Sequence, residues 1–374
     1  MPAATIAAWR RWLAVIAATA VVVALPWAID RLPAEAGDLP AADLAARIAA
    51  SGDVAYSGYA ESAGGLVLPV GTYVLGDLAD LFGDRTRMRV WYASPTAHRV
   101  DAIGYTGETD VYTDADGAWT WDYEAERATR SPRPGAAVSI PAPADLLPPA
   151  VARRVLSHAD PGDLAPLPAQ RIAGRAAAGL RLTPSDPAAT IERIEVWADE
   201  ATGLALRVAV YGPGGAPALD TAFLDLDLGS PDPALLAFRP PPGAEVVADD
   251  ADLVDLLQQR DGIAPGPMPA ALAGFALTGD AGIQAVGVYG DTVTSFVAIL
   301  LPERAARSLR RALGDAPTTV VQAGGLSSTI GPLSALLVDS VRPGPRSRWL
   351  LVGTVTVETL VAASAGLPPT GSGR

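Results

Sequence analysis

The sequence contains no cysteine and no lysine, and it has only two histidines, His98 and His158. Without cysteine there are no disulfides, thiolate metal sites, thiol nucleophiles or lipid-modified N-terminal cysteine. The histidines belong to no catalytic motif, and the G-x-S-x-G, G-x-x-x-x-G-K-S/T and H-E-x-x-H patterns are missing as well. The sequence therefore predicts a protein that is not an enzyme and that has neither a cofactor nor a metal site.

Positive charge is also scarce. The 28 basic residues, all arginine, stand against 41 acidic ones and give a net charge of -13 over 374 residues. Because phosphate backbones are bound by concentrated positive charge, this balance disfavours nucleic acid, and no nucleic-acid partner is expected. Hydrophobic residues make up 49% of the chain. That fraction supplies a sizeable core, and the length favours two folded units and an attachment segment.

One long uncharged run extends from Trp12 to Ile29, directly after Arg10 and Arg11. As a helix it would span about 27 Å, close to the roughly 30 Å hydrocarbon core of a membrane. The paired arginines predict an N-terminus inside the cell and everything after the run outside the cytoplasm. Ala34–Ala36 resembles a signal-peptidase site. Residues 1–36 are therefore interpreted as a membrane anchor or, alternatively, as a signal peptide that is removed to give a secreted protein.

The stretch from Thr86 to Arg130 predicts several short antiparallel strands, with a tight turn at Asp114–Gly117. Apolar residues alternate with polar ones in the first strand, and three aromatic residues share one face of the last. These aromatic residues either belong to the core or form the wall of an apolar cavity that binds a ligand. The residues predicted to face inward are Met88, Val90, Tyr92, Trp119, Trp121 and Tyr123.

The remaining patterns predict an α+β protein. Helices are expected at Ala41–Ala50 and within Ala144–His158, and a meander of half-buried strands continues to Leu228. A proline- and glycine-rich linker is predicted at 261–269, a compact α+β module at 270–365 and a disordered tail at 366–374. The module includes a helix with four arginines, which face solvent or contact an acidic partner or anionic lipid headgroups. They are Arg304, Arg307, Arg310 and Arg311.

Several motifs between Ala41 and Val247 resemble the actinobacterial LolA-like proteins. The matching stretches include SGYAES, RMRVWY, GETDVY, AWTWDYE and VWADEATGLALRVAVY. Residues 285–300, AVGVYGDTVTSFVAIL, look like the C-terminal domain of RseB/MucB-type proteins. The resemblance implies an incomplete antiparallel β-barrel over 37–260, whose concave face is covered by helices and encloses an apolar cavity, and then a small α+β domain.

The resemblance also implies two alternative functions. In the first, the chain is a membrane-tethered regulator that binds the ectodomain of an anti-sigma factor and senses a lipid or acyl ligand in its barrel. Arg304, Arg307 and Arg311 are then the predicted partner-binding residues. In the second, the chain carries a lipid or a lipoprotein acyl chain across the cell envelope, and its second module is structural.

Overall fold

The computed structural model describes residues 12–13, 15–19, 37, 39–64, 85–104, 107–132, 142–248, 267–278, 286–314, 318–322, 324–339 and 347–368. Within those ranges, two mainly antiparallel sheets form the two units of the protein. Among the residues described, no helix is long and apolar enough to cross a membrane. Most of the predicted span from Trp12 to Ile29 lies outside the described residues, as does most of the predicted tail.

The first sheet has twelve described strands. They are β1 Tyr56–Gly64, β2 Arg85–Ser94, β3 Ala97–Ile103, β4 Glu108–Asp114, β5 Gly117–Asp122, β6 Arg127–Pro132, β7 Leu164–Ile172, β8 Arg175–Leu182, β9 Arg193–Asp199, β10 Ala205–Tyr211, β11 Pro217–Leu228 and β12 Glu245–Ala248. Their order is β12-β6-β5-β4-β3-β2-β1-β11-β10-β9-β8-β7. Because β12 and β7 are its two edges, the sheet is open.

Two predicted helices pack on one face of this sheet. Helix α1, Ala41–Ala50, buries Leu44 and Ile48, and helix α2, Pro148–Leu156, begins with prolines that suit a first helical turn. Both helices share a core cluster with β8, β9 and β10. Fully burying one leucine or isoleucine side chain contributes about 1.5–3 kcal/mol, so this packing holds the helices in place. We name this side of the sheet the helix face and the opposite side the outer face.

The second sheet has eight described strands. They are β13 Ala271–Leu272, β14 Phe275–Thr278, β15 Val286–Tyr289, β16 Phe296–Pro302, β17 Thr319–Gln322, β18 Gly325–Ile330, β19 Leu333–Val338 and β20 Ser347–Gly353. Their order is β13-β14-β15-β16-β20-β19-β18-β17. Helices α3, Glu303–Gly314, and α4, Val357–Ser364, complete this unit, and α3 is the predicted helix with four arginines.

The two helices of the second unit lie on opposite faces of its sheet. Helix α3 packs in a cluster with Leu337 and Leu350, which are paired between β19 and β20. Helix α4 packs in a cluster with Leu336 and Leu351, the next pair along the same two strands. Because successive residues of a strand point to opposite faces, the second unit has a helix layer on each side.

Backbone hydrogen bonds join the two units directly. The amide of Thr190 donates to the carbonyl of Thr354 at 3.1 Å, and the amide of Thr356 donates to the carbonyl of Ala188 at 2.9 Å. The hydroxyl of Thr190 also donates to the carbonyl of Pro332 at 2.5 Å. The loop between β8 and β9 is thereby attached to the second sheet.

Strands β7, β12 and β18 escape sequence prediction for physical reasons. Strand β7 contains Pro166 and Pro168, which an edge strand tolerates because one row of its amides has no partner strand. Strand β18 is half polar and lacks clear alternation. Strand β12 pairs in parallel with β6, far from its sequence neighbour β11. The prolines at 240–242 suggest from sequence that the first unit ends there. The chain instead returns to the first sheet after them, as β12.

Candidate functional site

The first three predicted ligand-facing residues lie on the helix face, in its core. Met88 and Val90 are fully buried, and Tyr92 is nearly so. They pack in one cluster with Leu146 and Leu147, the end of a short 3-10 helix and the residue after it. The Tyr92 hydroxyl donates to the carbonyl of Gly52 at 2.7 Å and so ties this row to the end of α1.

Aromatic stacking continues that row. The rings of Tyr56 and Tyr92 stack at 5.0 Å, and Phe223 meets the edge of Tyr56 at 5.5 Å. His98 stacks on the other side of Tyr92 at 5.3 Å. Burial lowers the pKa of His98, which favours a neutral imidazole. His98 therefore has the surroundings of a packing residue.

The other three predicted residues lie on the outer face. Strand pairing forms one row across four neighbouring strands, in which Val90 pairs with Val100, Val100 with Val111, and Val111 with Thr120. Residues of such a row lie on the same face of the sheet. Thr120 lies between Trp119 and Trp121 in its strand, so both tryptophans point to the other side. The prediction that all six residues face one cavity is wrong in this respect, because the register divides them between the two faces.

A segment of the chain covers the outer-face aromatic residues. Residues 229–244 connect β11 to β12, and Phe238 within them contacts three rings of the outer face. Its ring centroid lies 4.8 Å from Tyr112, 5.6 Å from Trp119 and 6.2 Å from Trp121. Tyr123 adds an edge contact of 5.7 Å to Trp121 and is 49% exposed. The tryptophans are therefore packing residues beneath this segment.

Beside these aromatic residues lies a buried ion network. Asp101 and Asp110 face each other across β3 and β4, and both are fully buried. Arg99 bridges them, with distances of 2.6 Å to Asp101 and 2.8 Å to Asp110. Arg89 contributes a second cation 3.6 Å from Asp101, and the Tyr112 hydroxyl donates to Asp110 at 3.3 Å. Two guanidinium groups thus compensate two carboxylates inside the unit.

Glu108 adds a third carboxylate to this network. One oxygen each from Asp101, Glu108 and Asp110 lie within 4.8 Å of one another. Arg89 pairs with Glu108, and the arginines contact all three acids. Because arginine already supplies the positive charge, the chemistry of this cluster fits an internal ion network better than a cation site.

Burial raises the pKa of Asp101 from 3.8 to about 6, against the opposing effect of its bond to Arg99. A raised folded-state pKa stabilises the fold at low pH, and this contribution disappears as the pH rises through about 6. Asp101→Asn removes the titration. Between about pH 4 and pH 7.5, the free energy of unfolding of the variant should rise relative to the unaltered chain by up to about 3 kcal/mol. Urea unfolding across this range measures the difference.

Asp114→Asn is the matched control for this prediction. Hydrogen bonds from Arg130 lower the pKa of Asp114, so its carboxylate stabilises the fold above its ordinary pKa and loses that effect as the pH falls. The Asp114 variant should therefore lose stability relative to the unaltered chain as the pH rises. If both variants follow the same trend, burial of Asp101 is not the cause.

A surface groove lies where the two units meet. It is an open groove of about 800 Å³. The first unit contributes Asp186 and Ala188, and the second unit contributes β14, the loop after β15 and one side of α4. Apolar and threonine side chains form much of the wall, and three carboxylates stand around it. The residues that characterise the groove are Asp186, Phe275, Asp291, Thr292, Glu358 and Ala362.

The predicted partner-binding arginines lie elsewhere. Arg304, Arg307 and Arg311 are exposed on α3. The groove is formed beside α4 and β14, on the other face of the second sheet and near its other edge. The arginines and the groove thus lie on separate surfaces of the second unit.

Several features of these sites have no signal in the amino-acid sequence. Phe238 lies within a connecting segment that has no apolar periodicity, and the groove depends on contacts between distant segments. The burial of Asp101 and Asp110 has no signal in the sequence either, because Arg99 and Glu108 stand on the same strand faces and make those faces polar in the alternation pattern.

Comparisons with known proteins return structures but no sequence families. No family model matches the chain, and no curated protein matches it. Similar solved structures include MucB in complex with MucA(peri), at 16% identity and a TM-score of 0.49, covering 89% of this chain and 100% of that one. The MucA/MucB complex of Pseudomonas aeruginosa matches at 17% identity, with the same TM-score and coverage.

The second kind of similar structure concerns part of the chain. A LolA superfamily protein from Nitrosomonas europaea matches at 12% identity and a TM-score of 0.24, covering 54% of this chain and 98% of that one. The predicted resemblance is therefore confirmed as a likeness to these structures, while the actinobacterial branch stays a prediction. The chain is similar to MucB over most of its length and to a LolA superfamily protein over about half of it.

Proposed function

We propose that this chain is an exported, non-enzymatic regulator that binds the ectodomain of an anti-sigma factor. The observation that carries the proposal is the groove of about 800 Å³ between the two units. Backbone hydrogen bonds at Thr190 and Thr356 hold the units together beside it. A surface built by two units recognises a polypeptide only when both are present, which suits a regulator. A diffusing carrier needs one barrel and no second unit.

The walls of the groove suit a polypeptide partner. Phe275 and Ala362 offer apolar contacts, and the threonines offer hydroxyl groups. Asp291 and Glu358 have no ion-pair partner among the described residues, so their charges are free to meet a basic residue. The motif resemblance supplies the kind of partner, and membrane attachment through Trp12–Ile29 would place the groove on the same side of the membrane as such an ectodomain.

Ala362→Trp tests this proposal. Ala362 is exposed on α4 and lines the groove, so an indole there would fill the space that a partner occupies. We expect the affinity for the host's anti-sigma ectodomain to fall by about a hundredfold or more, measured by titration calorimetry. Ala365→Trp is the control, because Ala365 is exposed one turn later and does not line the groove. Unchanged affinity of the Ala362 variant would refute binding in the groove.

We include an acyl ligand as the signal in this proposal. The helix face of β1 and β2 is apolar, and it is covered by Leu146 and Leu147 from a short segment. A hydrogen bond of 2.6 Å from Thr221 to the carbonyl of Leu146 anchors that segment. An acyl chain in place of these leucines would gain about 0.8 kcal/mol for each buried CH₂ group. Native mass spectrometry of the chain from its host envelope tests this, and an empty protein would count against it.

A further inference from the structure

Helix α3 is positively charged, although the protein as a whole is acidic. The chain has a net charge of -13, yet four arginines stand on this single helix. Arg307 lies 3.7 Å from Glu303, and Arg310 pairs with Asp339. Arg304 and Arg311 are exposed and form no ion pair with any residue that the structure describes. Their positive charge is therefore uncompensated within the described part of the chain.

Strand β17 lies next to this helix and is an edge of the second sheet. It pairs with β18, and no described strand pairs with its other side. Val320 is 55% exposed and Val321 is 79% exposed. Pairing places Val321 beside Leu326 and then Leu337, on the face of α3, and Val320 on the face of α4. At this edge, each face of the second sheet therefore has an exposed valine side chain.

The charged helix and the bare edge form one surface. The hydroxyl of Thr319, the first residue of β17, donates to the carbonyl of Leu313 in the last turn of α3 at 2.6 Å. Arg311 belongs to that same last turn. Unpaired backbone groups, apolar side chains and positive charge therefore lie together, and we call this the β17 edge surface.

We propose that the β17 edge surface binds an extended, acidic segment of a partner protein, which adds a strand beside β17. A free strand edge presents alternating amide and carbonyl groups, which a polypeptide backbone satisfies in full. Alternate apolar side chains of that segment would cover Val320 or Val321, and acidic ones would meet the arginines. A lipid headgroup matches the charge alone and leaves the strand edge unpaired.

This surface is distinct from the groove. The groove lies near β14 on the face of α4, whereas the arginines of the β17 edge surface stand on α3 and its strand is the last of the sheet. Its charge is also opposite, because the groove carries carboxylates and the edge carries arginines. The inference therefore goes beyond the proposed function and does not depend on it.

The test uses the full chain and a fluorescent nine-residue peptide in which valine alternates with glutamate. We expect saturable binding by fluorescence anisotropy, and much weaker binding of the valine–lysine analogue. A third peptide, with proline at its centre, keeps the charge and loses strand pairing, so it should also bind poorly. Equal binding of the lysine or the proline peptide would overturn the proposal.

Two variants locate the binding. The variants change exposed side chains, and they are Val321→Asp and the double change Arg304→Glu with Arg311→Glu. Each should weaken peptide binding by about tenfold or more. Val246→Asp is the matched control, because Val246 is 58% exposed on β12, an edge strand of the first sheet. An equal loss of peptide affinity in Val246→Asp would contradict binding at the β17 edge surface. Binding to phosphatidylglycerol vesicles without binding of the glutamate peptide would assign the arginines to lipid headgroups and overturn the proposal.

The outcome is independent of the ectodomain experiment. If Ala362→Trp abolishes ectodomain binding and the peptide fails to bind, ectodomain binding in the groove is supported and peptide binding at the β17 edge surface is refuted. If the peptide binds and Ala362→Trp leaves ectodomain binding intact, binding at the β17 edge surface is supported and binding in the groove is refuted.

Discussion

Replacing Phe223 with alanine should lower the free energy of unfolding by about 3–5 kcal/mol. Phe223 is 2% exposed on β11. Its ring meets Tyr56, which in turn stacks on Tyr92. Removing the ring would leave a cavity in the helix face, and the flanking aromatic rings are too firmly packed to fill it. Urea unfolding followed by tryptophan fluorescence measures the loss.

Leu224→Ala provides the control from the next residue. Strand β11 has a bulge opposite Tyr59 and Ala60, so Leu224 is the extra residue and is 55% exposed. Its truncation should change the stability by no more than about 0.5 kcal/mol. Similar losses for the two variants would mean that Phe223 is not part of a close-packed core.

The same packing limits how a lipid could enter. In the described residues, the helix face between β1 and β2 is filled by the chain's own side chains, with Leu146 and Leu147 above Met88 and Val90. An acyl chain would therefore have to displace these leucines. Lipid binding would then move the 3-10 helix at Pro143–Leu146, which leads directly into α2.

Helices and single strands could be predicted from sequence because their signals are local. The apolar spacing of Leu44 and Ile48 gives α1, and the alternation of Met88, Val90 and Tyr92 gives β2. The turn at Asp114 is equally local, since its carboxylate accepts hydrogen bonds from the amides two and three residues later. Each of these features depends on neighbours within a few positions.

The assignment of strands to a common face could not be predicted in the same way. Alternation within β5 places Trp119 and Trp121 together, but only the register across β2, β3 and β4 decides whether Val90 joins them. A shift of one residue in a single turn would have reversed the answer. The groove is harder still, because it depends on Thr190 meeting Thr354 across two units.

Arg99→Leu should cost about 3–5 kcal/mol at neutral pH, because it leaves Asp101 and Asp110 buried without the cation that bridges them. Both carboxylates are fully buried, and Arg99 is 17% exposed at its side chain. The loss should shrink in acid, because protonation of Asp101, whose pKa burial raises to about 6 even with Arg99 present, removes one of the uncompensated charges. Unfolding curves recorded at about pH 4.5 and pH 7.5 test both statements.

Arg87→Leu separates the effect of burial from that of charge. Arg87 lies 3.2 Å from Glu61, but 53% of its side chain is exposed, so solvent screens the pair. Its loss should cost no more than about 1 kcal/mol. Combining Arg99→Leu with Asp101→Asn should recover part of the lost stability, because the double change removes a cation and an anion together. If the double variant is no more stable than Arg99→Leu alone, the guanidinium acts through its stacking on Trp91 and Tyr112 and not through charge compensation.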